Sequence, residues 1–177
     1  GFCRVGVARA RAASVVGTLD GPWRIAGICG GPTLPPATNV AALVDWQDLS
    51  PHFSGTMGYE TVFSAGEASG LTLDLGRVCE VAHVWVNGVD LGVRFMAPYA
   101  FALPDGVLRP TGNRLKVEVT NLGANRLRWN DLNGVRWKYF SDANVLSPNY
   151  KPLDASKWTP KPSGLLGPVR LECEMRD

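Results

Sequence analysis

The chain has 177 residues, 45% of them apolar and only 19% charged, so it can bury one sizeable core and is not disordered as a whole. Its 18 basic and 16 acidic side chains leave a net charge of +2, which is no footprint for a nucleic-acid partner. Twenty Gly and thirteen Pro disfavour long helices, and no run reaches the roughly 20 apolar residues of a membrane span.

In chain order, residues 1–17 open with a small, Arg-rich stretch, GFCRVGVARARAAS. It reads as an N-terminal arm or the remnant of a domain boundary, with the folded domain expected over 18–177. Leu19–Ile25 predicts a turn leading into an edge strand that carries Trp23, and the Pro- and Gly-rich Gly30–Asn39 predicts a loop. Trp46 precedes another polar break; it and Trp23 are expected to pack against sheet edges. Gly58–Ser64 alternates, with Tyr59, Thr61 and Phe63 on one face and Glu60, Val62 and Ser64 on the other. Leu71–Leu75 alternates cleanly and stops at Gly76. Val81–Val86, Asn87-Gly88 and Leu91–Phe95 predict a hairpin, because Asn-Gly between two apolar runs accepts the positive φ of a tight turn. Trp85 lies in that apolar run and is expected in the core. Tyr99–Leu103 and Arg114–Thr120 add two more strands, the latter with Leu115, Val117 and Val119 inward. Val169–Glu174 closes the sheet.

About eight short strands, turn signals every 8–12 residues and no helical stripe predict an all-β, antiparallel jelly-roll sandwich. Residues 121–167 break the pattern: over 40 residues without a clear strand make a long loop before the last strand. Trp129, Trp137, Tyr139, Phe140, Tyr150 and Trp158 fall in it. The four cysteines (Cys3, Cys29, Cys79, Cys173) have no metal or redox spacing and suit two disulfides or buried thiols equally.

Leu73–Gly76, Val81–Gly88 (VAHVWVNG), Asp90-Leu91-Gly92, Pro98-Tyr99 and Arg114–Asn121 resemble the galactose-binding-like jelly roll of family 2-type glycoside hydrolases. With Pro152–Trp158 (PLDASKW) and Pro162–Leu171 (PSGLLGPVRL), the chain looks most like the C-terminal β-sandwich of large bacterial α-L-rhamnosidases, over roughly Thr18 to Arg176. The resemblance implies a non-catalytic module beside a separate catalytic domain, in an extracellular or periplasmic parent protein, with an oligo- or polysaccharide as partner and no required cofactor. Read as chemistry, the same motif is turn and packing signature.

A pyranose needs an aromatic platform for its C–H face and planar polar groups for its hydroxyls. The long loop holds both: Trp137, Tyr139, Arg136, Trp129, Arg126, Asn125 and Asp142 are the candidate carbohydrate contacts. The same rings would equally serve to pin the loop to the sheet. A stand-alone glycosidase would need a carboxylate pair, for which Glu60, Asp131 and Asp142 are the candidates, and a Ser-His-Asp site has no nucleophile-elbow motif. A structural Ca²⁺ would draw on acidic residues near strand ends, Asp20, Asp48 and Glu172. Three functions therefore stand: a carbohydrate-binding module of an enzyme acting on plant-type polysaccharides, a small glycosidase, or a sandwich that braces a catalytic domain without binding sugar.

Overall fold

The computed structural model describes residues 13–65, 70–138 and 153–174. It is an antiparallel sandwich with twelve strands among those residues, more than the eight expected. The larger sheet has six strands in the order β3 (Thr38–Val40), β2 (Trp23–Gly31), β4 (Ser54–Phe63), β10 (Asn113–Thr120), β7 (Val81–Val86), β8 (Val89–Arg94). The smaller has β1 (Ala13–Thr18), β12 (Arg170–Glu174), β5 (Leu71–Asp74) and β9 (Ala100–Ala102). A third pair, β6 (Arg77–Cys79) with β11 (Gly164–Gly167), and two short helices, α1 (Trp46–Leu49) and α2 (Ala124–Leu132), complete it. Neither helix is long and apolar enough to cross a membrane.

The core follows from alternation. Ile25, Met57, Tyr59, Val84, Leu115, Val117 and Val119 point inward from the large sheet and meet Leu71, Leu73, Phe101 and Leu171 from the small one. Every second residue therefore emerges on the outer face. Trp23 and Trp46 are not edge packing but fully buried, at 1% and 0% exposure. The Trp46 indole and the Leu165 N–H both donate to the buried Tyr59 hydroxyl, tying α1, β4 and β11 together. Gly164 sits at this junction with φ +101°, where an added Cβ would collide with Trp46 and the Tyr59 hydroxyl.

The Asn87-Gly88 hairpin forms as read: φ is +51° at Asn87 and +84° at Gly88, with Val86 opposite Val89. Three other expectations give way. The first strand begins at Ala13, within the segment read as an arm, because it gains a full partner in β12. β2 runs past the expected loop boundary to Gly31, since Gly30 and Gly55 face each other where any Cβ would strike the opposite backbone. The long stretch 121–167 is not structureless, because it contains α2 and β11. Cys29 and Cys79 are free thiols, so two disulfides do not form.

Candidate functional site

Strand order and register set one row of side chains across the outer face of the large sheet. Asn39 pairs with Arg24, Arg24 with Glu60, Glu60 with Lys116, Lys116 with Trp85 and Trp85 with Asp90. All stand on the side opposite the core, because each flanks an inward residue of its own strand. Beside the row runs an open groove of about 690 Å³, walled by Arg24, Asn39, Glu60, Trp85, Arg114 and Lys116 and floored in part by Val62.

This placement corrects the expectation for Trp85. The indole is half-buried on the outer face, not in the core. Ala82, Val84 and Val86 are the inward set of β7, and Val81, His83 and Trp85 the outward one. Trp85 is braced from the next row of the sheet: the His83 ring lies 3.7 Å from it, centre to centre, tilted by 34°. His83 is held by Asp90, with Nε2 at 2.9 and 3.0 Å from the two carboxylate oxygens. The Gly92 N–H donates to Asp90 at 2.7 Å, where the register slips between Val84 and Trp85. That backbone bond, and then the one to His83, hold the Asp90 carboxyl below its ordinary range. Lys116 sits 4.5 Å from the Trp85 ring centre and is fixed by Glu118 at 2.7 Å. Trp85 and the Lys116 that lies over its ring both line the groove, whereas His83 and Glu118 do not. On the far wall Arg24 reaches Glu60 at 3.6 Å.

At the top of the groove Arg114 is placed by backbone. Its N–H donates to Asn87 Oδ1 at 2.9 Å, and its carbonyl accepts the Asn87 N–H at 2.8 Å. Asn87 in turn donates to the buried Asn113 amide at 2.9 Å. The turn motif thus serves as the anchor of a groove wall as well as a hairpin.

The residues expected from the loop occupy a different region. α2 has no apolar stripe; its buried residues are Asn125 and Asn130. The Asn125 amide is consumed internally, donating to the Lys161 carbonyl at 2.8 Å and to Ser163 at 3.2 Å while accepting the Lys161 N–H at 2.8 Å. Trp129 stacks on His52 at 5.7 Å and lies under Arg126 at 5.9 Å. Asp131 accepts the Trp137 indole N–H at 2.7 Å, Lys138 at 2.9 Å and the Ala155 N–H at 2.7 Å. Burial pushes the Asp131 carboxyl up, but those three bonds and the lysine charge outweigh it and hold it below the ordinary range. The structure brings Asp131, Trp137 and Lys138 together and sets Arg126 on Trp129, while Arg136 is exposed beside them. Tyr139 and Asp142 lie outside the described residues.

Of the three carboxylates raised for glycosidase chemistry, Asp142 lies outside the described residues and the other two stand apart. Glu60 faces the groove among Arg24 and Lys116, whereas Asp131 is locked between Trp137, Lys138 and Ala155. Asp20 lies in the turn between β1 and β2, Asp48 in α1 and Glu172 in β12, and among the described residues no three acidic, His or Cys side chains are grouped closely enough to hold a metal.

No family model matches the chain. A rhamnosidase from Novosphingobium sp. PP1Y superposes over 96% of it with a TM-score of 0.69 and 32% identity, using 16% of that enzyme. A glycoside hydrolase family 2 β-galacturonidase from Eisenbergiella tayi (TM-score 0.56, 19% identity) matches 92% of the chain with 24% of its own length, and shares the fold. In sequence, a protein of Formosa agariphila that carries a β-glucuronidase name is 39% identical over 82 residues, 43% of this chain and 7% of that one. The chain is a small domain matching parts of large glycoside hydrolases.

Proposed function

We propose, on the premise that the chain corresponds to one small domain of much longer glycoside hydrolases, that it is an accessory module that captures carbohydrate rather than cleaving it. The observation that carries this reading is the outer-face groove, where a braced indole stands beside a row of polar side chains. An indole accepts the C–H face of a pyranose, and Asn39, Glu60 and Arg24 supply acceptors and donors for its hydroxyls. Such a groove is open and buries little area, so binding is weak for one site. Cleavage would need a second carboxylate at about 5–10 Å, one of the two in an apolar pocket. Among the described residues Glu60 is the one carboxylate lining the groove, and it is ion-paired.

The test is affinity electrophoresis of the folded chain through gels containing plant-type polysaccharides, beside hydrolysis assays on aryl glycosides. Retardation that disappears in Trp85→Ala, with no hydrolysis, supports capture. Hydrolysis abolished by Glu60→Gln would replace the reading with an enzymatic one.

A bracing role has its own support. The outer edge strand β8 and the turn after it expose Val89, Val93, Phe95 and Met96, the last two at 70% and 63%. Exposed apolar clusters of this kind mark protein contacts, and a neighbouring catalytic domain in the parent chain would cover them.

A further inference from the structure

The charge of the groove narrows the ligand class. Among the described residues Arg24, Lys116 and Arg114 line it against the single carboxylate of Glu60. The whole chain carries only +2, so this patch concentrates as much positive charge as the entire molecule. The three cations are not equivalent. Lys116 is committed to Glu118 at 2.7 Å, and Arg24 is tied loosely to Glu60 at 3.6 Å. Arg114 is exposed and makes no ion pair among the described residues, while its backbone N–H and carbonyl are both held by Asn87, with Val62 of β4 opposite it in register. A free guanidinium on a fixed strand is the donor set for a carboxylate, which it can engage through two parallel N–H bonds.

The balance of donors and acceptors points the same way. Guanidinium and ammonium groups donate only, and the groove's side-chain acceptors are those of Glu60, Asn39 and Thr61. A neutral sugar presents hydroxyls that need acceptors as well as donors. A ligand richer in acceptors fits better.

We infer that the groove takes an acidic glycan, a uronate residue whose ring lies on Trp85 and whose carboxylate is received by Arg114. The inference rests on the carbohydrate-capture reading and sharpens its ligand.

The experiment uses polygalacturonate, hyaluronan and alginate in affinity gels, each before and after reduction of its carboxyls to hydroxyls, with dextran sulfate as a polyanion lacking uronate. The expected result is retardation by at least one uronate polymer, lost on carboxyl reduction. Arg114→Gln keeps the backbone bonds that place the residue and should weaken that retention at least about tenfold, the scale of one charge-assisted bond. Trp85→Ala should abolish it. Equal retention by native and reduced polymers, unaffected by Arg114→Gln, overturns the charge assignment while leaving carbohydrate capture standing. Retention by dextran sulfate that ignores Trp85→Ala also overturns it, as a generic polyanion effect. No retention on any glycan, neutral or acidic, by a folded chain sinks both readings. Retention that vanishes in a longer piece of the parent chain assigns the groove to a neighbouring domain and overturns the inference.

Discussion

Replacing Trp85 by Ala separates an outer-face indole from a core one, and the two roles differ enough in free energy to be measured. As placed, the ring loses a stacked contact with His83 at 3.7 Å and a cation contact with Lys116 at 4.5 Å. The ring contact is worth about 0.5–1.5 kcal/mol and the cation contact about 0.5–1 kcal/mol at a half-exposed site. Trp85→Ala should therefore cost roughly 1–2.5 kcal/mol. A buried Trp truncated to Ala costs about 3–5 kcal/mol, because the cavity adds to the lost transfer energy. That is the expectation for Trp46, which has 0% exposure. Urea unfolding of the wild type, Trp85→Ala and Trp46→Ala gives both numbers, with an unchanged m-value as the check on two-state behaviour. If Trp85→Ala costs as much as Trp46→Ala, the ring belongs to the core and the groove argument fails.

Tyr59→Phe removes the acceptor shared by the Trp46 indole and the Leu165 N–H, leaving two buried donors unpaired, and should cost about 2–4 kcal/mol in the same assay. Burial raises the Tyr59 phenol from 10.0 to about 12. The native state thus holds that proton more tightly than the unfolded chain, so its contribution is complete below pH 10 and is lost as pH rises toward 12. Thermal melts across that window should fall more steeply for the wild type than for Tyr59→Phe; parallel curves would refute the assignment. Asp131→Asn tests the other region: its lowered carboxyl stabilises the fold at neutral pH and stops doing so as pH falls through the folded value. The melting temperature of Asp131→Asn should lie below the wild type at pH 7, and the gap should close in acid. A gap that stays constant would mean that ionisation of Asp131 is not what holds residues 137 and 155.

Much of the fold was legible locally. The Asn87-Gly88 turn, the inward Leu115–Val117–Val119 series and the Tyr59–Thr61 parity each depend on a few neighbouring residues and came out as read. The failures have identifiable causes. α2 (ANRLRWNDL) escaped because helical periodicity is a signal of apolar burial, and this helix buries the amides of Asn125 and Asn130. Trp85 stands on the outer face although VAHVWV reads as one apolar run. His83, two residues away on the same face, was the available clue, since a core His would need a buried partner.

The β-sandwich is written locally along the chain, because turn residues and period-two alternation are properties of short segments. In β4 and β10 the same alternation also places Glu60, Lys116 and Glu118 on the solvent face. That Arg24, Glu60, Arg114, Lys116 and Trp85 share one groove is written in no short segment and emerges with the folded sheet. They come from four strands, and their adjacency rests on the order β2–β4–β10–β7, which joins residues up to about ninety positions apart. That order is fixed by which inner faces bury best against the small sheet, a free energy summed over the whole core and carried by no local window.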